Sequence, residues 1–84
     1  MTQDEIKTIV MKKLYDIAPE LENQTIDPHV NFRDQFDFDS VDFLNFAISL
    51  QEKMNINIPE IDYPKLSSLT GCITYFESRL STSG

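Results

Sequence analysis

The sequence predicts an all-α fold, an irregular four-helix bundle of three main helices, one short helix and a long loop between helices 1 and 2. Three observations predict it. Apolar residues recur at spacings of three and four in three stretches of the chain. Capping and breaking residues stand at the ends of those stretches. The one alternating run, Ile56-Asn57-Ile58, has no second strand to pair with.

The first helix starts at Thr2. Thr2-Gln3-Asp4-Glu5 fits a capping box, with the Thr hydroxyl and the Glu carboxylate each satisfying a free backbone N–H. Ile6, Ile9, Val10, Leu14 and Ile17 then follow helical spacing, and Pro19 ends the helix near Ile17 or Ala18. A connection from about Pro19 to Asp39 comes next. It is long for so small a domain. Its scattered apolar residues Leu21, Ile26, Val30, Phe32 and Phe36 predict that it lies over the core. Asp39 and Ser40 are both good caps for a second long helix, and Asp42 places an acid in its first turn, where the helix dipole favours it. That helix runs to about Met54, before Asn55 and Asn57. Ile56 to Pro59 reads as an extended link, and Glu60 to about Lys65 as a short helical turn interrupted by Pro64. Ser68 caps a last helix with a core face of Leu69, Cys72, Ile73, Phe76 and Leu80. Gly71 inside it costs about 1 kcal/mol relative to Ala. Residues 81–84 are expected to be a frayed tail of a single domain spanning 1–84.

Composition narrows the function. A chain of 84 residues buries only about 60% of the surface it exposes when unfolded. Seven Lys and Arg stand against 14 Asp and Glu, a net charge of −7. That excludes a nucleic-acid binder driven by phosphate neutralisation, and a protein docking on anionic membranes. With 40% apolar residues the chain can fill a core. There is no apolar run of membrane-spanning length and no basic-then-apolar leader, so a cytoplasmic location is expected. One Cys allows no internal disulfide, and one His allows no Cys/His zinc site. Two glycines cannot make a phosphate-cradling loop. Most enzyme templates fail on this inventory, and no catalytic activity is expected.

The acid is concentrated. Residues 34–62 carry Asp34, Asp37, Asp39, Asp42, Glu52, Glu60 and Asp62 against Lys53 alone, a net of −6. A partner binding there is expected to be basic. The second long helix also has two apolar stripes. Phe43, Phe46, Ala47, Leu50 and Met54 form a core face. Val41, Leu44 and Ile48 fall nearly opposite, flanked by Asp42, Asn45, Ser49, Gln51 and Glu52. This second stripe either packs under the long loop or forms an exposed apolar patch with an acidic rim, which is how a transient interface is built.

On the residues alone, Ser40 is a helix cap. It is no nucleophile elbow, because Phe38-Asp39-Ser40-Val41-Asp42 has no glycine at the sharp turn. Cys72, on an apolar helix face, reads as a buried small hydrophobe. A calcium loop beginning at Asp37 fails, with Val41 at its fifth position, no Gly at its sixth and Ile48 at its twelfth. His29 reads as a loop residue.

Asp39-Ser40-Val41-Asp42, with Leu44 following, resembles the Asp-Ser-Leu-Asp signature of acyl carrier proteins. Ile56-Asn57-Ile58-Pro59-Glu60 is similar to the Ile-x-Ile-Pro-Asp segment of that family. Leu66-Ser67-Ser68-Leu69 resembles the start of its last helix, and Tyr75-Phe76 its closing aromatic-apolar pair. The resemblance covers roughly residues 3–80. It implies that Ser40 carries a covalent 4′-phosphopantetheine arm, moved from coenzyme A by a phosphopantetheinyl transferase. It implies that the arm holds acyl groups as thioesters for fatty-acid, polyketide or related biosynthesis. Asp39 belongs to the signature. Val41, Asp42, Leu44, Ile48 and Glu52 are expected to meet acyl-loading and acyl-transfer enzymes with basic docking surfaces. Val41 and Ile48 are thus picked twice, by helical geometry and by resemblance, which favours the exposed patch. A monomer without nucleic-acid binding or membrane insertion is expected.

The sequence also departs from that pattern. Asp37 stands in place of the usual Gly, Phe36 and Phe38 flank it, and Asn45 and Gln51 are neutral where acids are common. These departures point to a specialised rather than a housekeeping carrier, with partner choice differing at Asn45 and Gln51. Phe43 and Phe46 are expected to reshape the pocket in which some carriers fold an acyl chain. The competing class is a non-covalent helical adaptor that uses the Val41, Leu44 and Ile48 patch without a prosthetic group. An enzyme built on Cys72 and His29 ranks third.

Overall fold

Helix α1 spans Gln3–Ile17. Its capping box forms as the sequence predicts: Glu5 N–H donates to the Thr2 hydroxyl at 3.2 Å, and Thr2 N–H to the Glu5 carboxylate at 3.0 Å. Ile6, Val10 and Leu14 are fully buried along one face. The chain as described in this computed structural model covers residues 1–81. After Ala18 the backbone tightens into a 3₁₀ segment at Pro19–Asn23, which buries Leu21. Helix α2, a single turn at Phe32–Gln35, buries Phe32. Helix α3 spans Ser40–Met54 and buries Phe46, Ala47, Leu50 and Met54. A second 3₁₀ segment lies at Glu60–Leu66, and helix α4 runs over Leu69–Ser81. Helix α1 packs against both α3 and α4.

Each end of α3 has a physical cause. At its start the Asp39 carboxylate accepts the Asp42 N–H at 2.8 Å. At its end Asn55 takes a left-handed conformation, with φ 56° and ψ 41°. Asn tolerates that region better than most residues. Asn55 N–H then donates to the Gln51 carbonyl. The Gln51 side chain accepts the Ile58 N–H at 2.8 Å, fixing the extended link against the helix that precedes it.

The long connection lies on the core as expected, with Leu21, Phe32 and Phe38 buried. The Cα radius of gyration is 12.0 Å, matching the ~12 Å of a globule this long. The connection is more regular than the sequence suggested, since it holds a 3₁₀ segment and α2. Its apolar residues are too few and too scattered to show a period. Backbone hydrogen bonds stitch it to the far side of the fold: Phe32 N–H to the Ser67 carbonyl at 2.8 Å, and Thr70 N–H to the Pro28 carbonyl at 2.9 Å.

Pro64 lies inside the second 3₁₀ segment and does not interrupt it. A 3₁₀ turn bends more tightly than an α-helix and tolerates short irregular runs. Ser68 caps α4, its hydroxyl accepting the Gly71 N–H at 3.0 Å. Gly71 has a packing role. A Cβ there would collide with the Lys65 carbonyl oxygen and crowd the Ser68 hydroxyl. On α4, Leu69, Cys72 and Phe76 are buried as expected; Tyr75 is buried too, and Ile73 and Leu80 are half-buried. Ser81 closes α4, and the rest of the tail expected at 81–84 lies outside the described residues.

Candidate functional site

Ser40 is the first residue of α3, and it is exposed. Residues 36–39 deliver the chain to it between two anchored rings. Phe38 is buried and Phe36 half-buried. They belong to an aromatic cluster beneath the serine. Phe32 stands edge-on to Phe46 and Phe38, with ring centroids 5.5 and 5.8 Å apart. Phe36 contacts Phe38 at 5.5 Å, and Phe38 reaches Phe43 at 6.2 Å. Phe43 in turn meets Tyr63 of the second 3₁₀ segment edge-on at 6.3 Å. Such tilted and edge-to-face pairs are the geometries that the ring quadrupole favours. Phe46 is fully buried, whereas Phe43 is only half-buried and faces a cleft.

That cleft encloses about 400 Å³, and Ser40 lies on its wall. Phe38, Phe43, Tyr63 and Pro64 give it an apolar surface, and Arg33 is the one charged residue lining it. Its two sides are tied together at one end, where the Ser67 hydroxyl and the Asn31 side-chain oxygen lie 3.2 Å apart. The Tyr63 side is held from behind by α4. Tyr75 donates its hydroxyl proton to Asp62 at 2.8 Å, Arg79 donates to the Tyr75 oxygen at 2.7 Å, and Arg79 also reaches the Asn57 carbonyl at 3.1 Å. Lys65 and Arg79 form ion pairs with Asp62 at 3.5 and 3.8 Å. The Tyr75 hydrogen bond, then the Lys65 and Arg79 charges, hold the Asp62 carboxyl below its ordinary range. Burial, then that hydrogen bond to Asp62, pushes the Tyr75 hydroxyl up.

Asp37 needs no glycine-like backbone. Among the described residues Asn55 alone combines a side chain with positive φ. The turn before Ser40 is shaped instead by Phe36 and Phe38, whose burial fixes the chain on either side of Asp37.

The second stripe of α3 is exposed, not packed under the loop. Val41 is 65% exposed, Leu44 45% and Ile48 40%. Asp39 and Glu52 beside it are exposed and Asp42 half-buried. Asn45 is exposed, but Gln51 is half-buried and holds the Ile58 N–H, so Gln51 is part of the scaffold. Ile61, 85% exposed, is an apolar surface residue that helical periodicity could not flag, because it stands in a 3₁₀ turn. Arg33 was equally illegible, because only folding brings it to the cleft that holds Ser40.

Cys72 is fully buried, and its thiol donates to the Leu66 carbonyl at 3.3 Å. Burial pushes its pKa up, which makes it inert as a nucleophile. His29 is exposed, 3.3 Å from the Thr70 hydroxyl. It lies in the loop stitched to α4 by the Thr70 N–H to Pro28 carbonyl hydrogen bond, and its side chain pairs with that hydroxyl rather than with the buried Cys72. Among the described residues no three of His, Cys, Asp and Glu gather so as to hold a metal ion. No described helix is long and apolar enough to cross a membrane.

The family model described as "phosphopantetheine attachment site" matches residues 4–73. The chain is 28% identical over 81 residues to the acyl carrier protein of Lactobacillus johnsonii, covering 93% of this chain and 96% of that one. It is 29% identical over 77 residues to the acyl carrier protein of Chlamydia caviae, covering 92% and 94%. The meromycolate extension acyl carrier protein of Mycobacterium leprae is 26% identical over 77 residues, 92% of this chain and 66% of its own. No solved structure gives a significant match.

Proposed function

The chain belongs to the acyl carrier family, built around a phosphopantetheine attachment site, and from that premise we propose that Ser40 is the attachment residue. The observation that carries this reading is the setting of Ser40: an exposed hydroxyl on the first turn of a 15-residue helix, opening on a cleft and bordered by an exposed apolar stripe. The prosthetic group of the family is 4′-phosphopantetheine, held covalently. The residues present fit it. Free N–H groups and the positive end of the α3 dipole favour a phosphate at that position, and the cleft wall offers aromatic surface to the pantetheine beyond that phosphate.

In this reading the Ser40 oxygen bonds the phosphorus next to the pantetheine of coenzyme A. The bond to the bridging pyrophosphate oxygen breaks, adenosine 3′,5′-bisphosphate leaves with the electron pair, and the serine proton passes to a base on the transferase. The thiol at the end of the arm then carries acyl groups as thioesters. The chain itself supplies no catalytic group. Its contribution is tethering, which raises the local concentration of the intermediate at each partner. Val41, Leu44 and Ile48 form the apolar centre of the docking face, and Asp39, Asp42 and Glu52 its acidic rim for basic enzymes in the cytoplasm. The aromatic cluster under Ser40 supports a specialised carrier over a housekeeping one.

The test is intact mass after incubation with coenzyme A and a broad-specificity phosphopantetheinyl transferase. One phosphopantetheine adduct is expected, and it is lost in Ser40→Ala. An unmodified chain, under conditions that load a control carrier, leaves the non-covalent adaptor as the better reading.

A further inference from the structure

A phosphodiester on Ser40 adds a negative charge beside Asp39 and Asp42, in the part of the chain that is already the most acidic. Like charges this close repel one another, so a balancing cation is needed. The segment 34–62 holds only Lys53, at the other end of α3. Arg33 meets the need. It stands on α2, it is exposed, and it is the one charged residue lining the cleft that Ser40 lines. Among the described residues it forms no ion pair, although Asp34, Asp37 and Asp39 are its neighbours in sequence. Its guanidinium is therefore available, and a planar fork of N–H donors is the side chain best suited to phosphate oxygens.

We infer that Arg33 is the positioning residue for the arm: it holds the phosphodiester on Ser40 and lays the adjoining dimethyl-bearing pantoyl unit against Phe38, Phe43 and Tyr63. The inference rests on Ser40 being the attachment residue. The chemistry of the cleft suits the order of groups along the arm. The anion comes first, in the cleft whose one charged residue is Arg33. The branched apolar unit comes next, against three rings and Pro64. An amide is third, with the Ser67 hydroxyl and the Asn31 amide within the same lining. The arm is thus seated on one side of α3, while the Val41, Leu44 and Ile48 stripe stays open for a partner.

The test uses the loaded protein. Intact mass first establishes the adduct on wild type, Arg33→Gln and Arg33→Lys. Proton NMR then reads the two pantoyl methyls. In loaded wild type they are expected upfield of their positions in free phosphopantetheine, with cross-relaxation to aromatic ring protons, and the Arg33 side-chain N–H signal moves on loading. In Arg33→Gln the methyls return to the free positions, and in Arg33→Lys the upfield shift is partly kept. Arg33 is exposed, so the unloaded variants are expected to give wild-type spectra. Loaded wild type with methyls at free positions overturns the inference, as does an Arg33→Gln variant whose methyls stay upfield. Absence of any adduct overturns the attachment reading itself, and this inference with it.

Discussion

Replacing Val41 with Asp separates the docking reading from a packing one, because the two predict opposite losses. Complete burial of a Val-sized side chain is worth about 1.5–3 kcal/mol, so a partner that covers the 65% of Val41 now in water gains about 1–2 kcal/mol there. At about 1.4 kcal/mol per tenfold, that is about 5- to 30-fold in affinity. An Asp at the centre of the patch adds the cost of desolvating a carboxylate, so the loss is expected at the upper end of this range or beyond it. Stability moves little or rises slightly, because residue 41 is the second residue of α3 and an acid in the first turn interacts well with the helix dipole. The assay is a time course of transferase loading by intact mass at several carrier concentrations, paired with thermal unfolding of the unloaded protein. The expected result is a KM raised by roughly tenfold or more with a melting temperature within a few degrees of wild type. An unchanged KM refutes the patch as a docking surface. A collapse in melting temperature refutes its exposure.

Three other outcomes rest on the packing. Gly71→Ala tests whether propensity or contact wins: helix propensity alone gives a gain of about 1 kcal/mol, but the new methyl meets the Lys65 carbonyl, and overpacking of this kind costs about 1–3 kcal/mol. A net loss is expected, read as a melting temperature lowered by several degrees; a rise shows that the second 3₁₀ segment yields freely. Asp62 has its folded pKa depressed by Tyr75, Lys65 and Arg79, so its contribution is fully present above the unfolded aspartate value and is lost as pH falls through the lower folded value. Urea unfolding should therefore show the gap between wild type and Asp62→Asn closing as pH drops below the ordinary aspartate range, and a gap that stays constant with pH counts against the assignment. Cys72 is fully buried with its thiol pKa raised, so a thiol-specific chromogenic reagent should be inert toward the native protein and label one site in urea; prompt native labelling contradicts the packing of α4.

Much of the fold was legible before folding. The Thr2 box, Asp39 and Ser68 caps and the Asn55 stop each act through residues within a few positions, so their signals are local. The core faces of α1 and α3 follow from period alone. The connection between them was legible only as lying on the core. Its 3₁₀ segment and α2 are short, and what anchors α2 and the turn before it is hydrogen bonding to Ser67 and from Thr70, more than thirty residues away in sequence. Gly71 shows the same limit in energetic form: along the chain it is a weak helix residue, and in the fold it is the gap that admits the Lys65 carbonyl. Gln51, read as a missing acid on the docking rim, is a scaffold residue because the link after α3 turns back onto it.

What the sequence by itself determined is the helical plan, the acidic middle, the placement of Ser40 at a helix start and the division of α3 into two apolar stripes. These depend on residue order and on a period of 3.6. Tertiary structure alone decided that the second stripe faces water, because periodicity marks the core face and does not say whether a second apolar stripe finds a packing partner. It also decided that Phe32, Phe36, Phe38, Phe43 and Phe46 form one cluster under the serine, and that Arg33 and Tyr63 share a cleft with Ser40. Those groups come from α2, α3 and the second 3₁₀ segment, with Phe36 and Phe38 on the turn that joins α2 to α3. They meet only because burying apolar rings brings the three elements together, and no local pattern in the chain records which rings will touch.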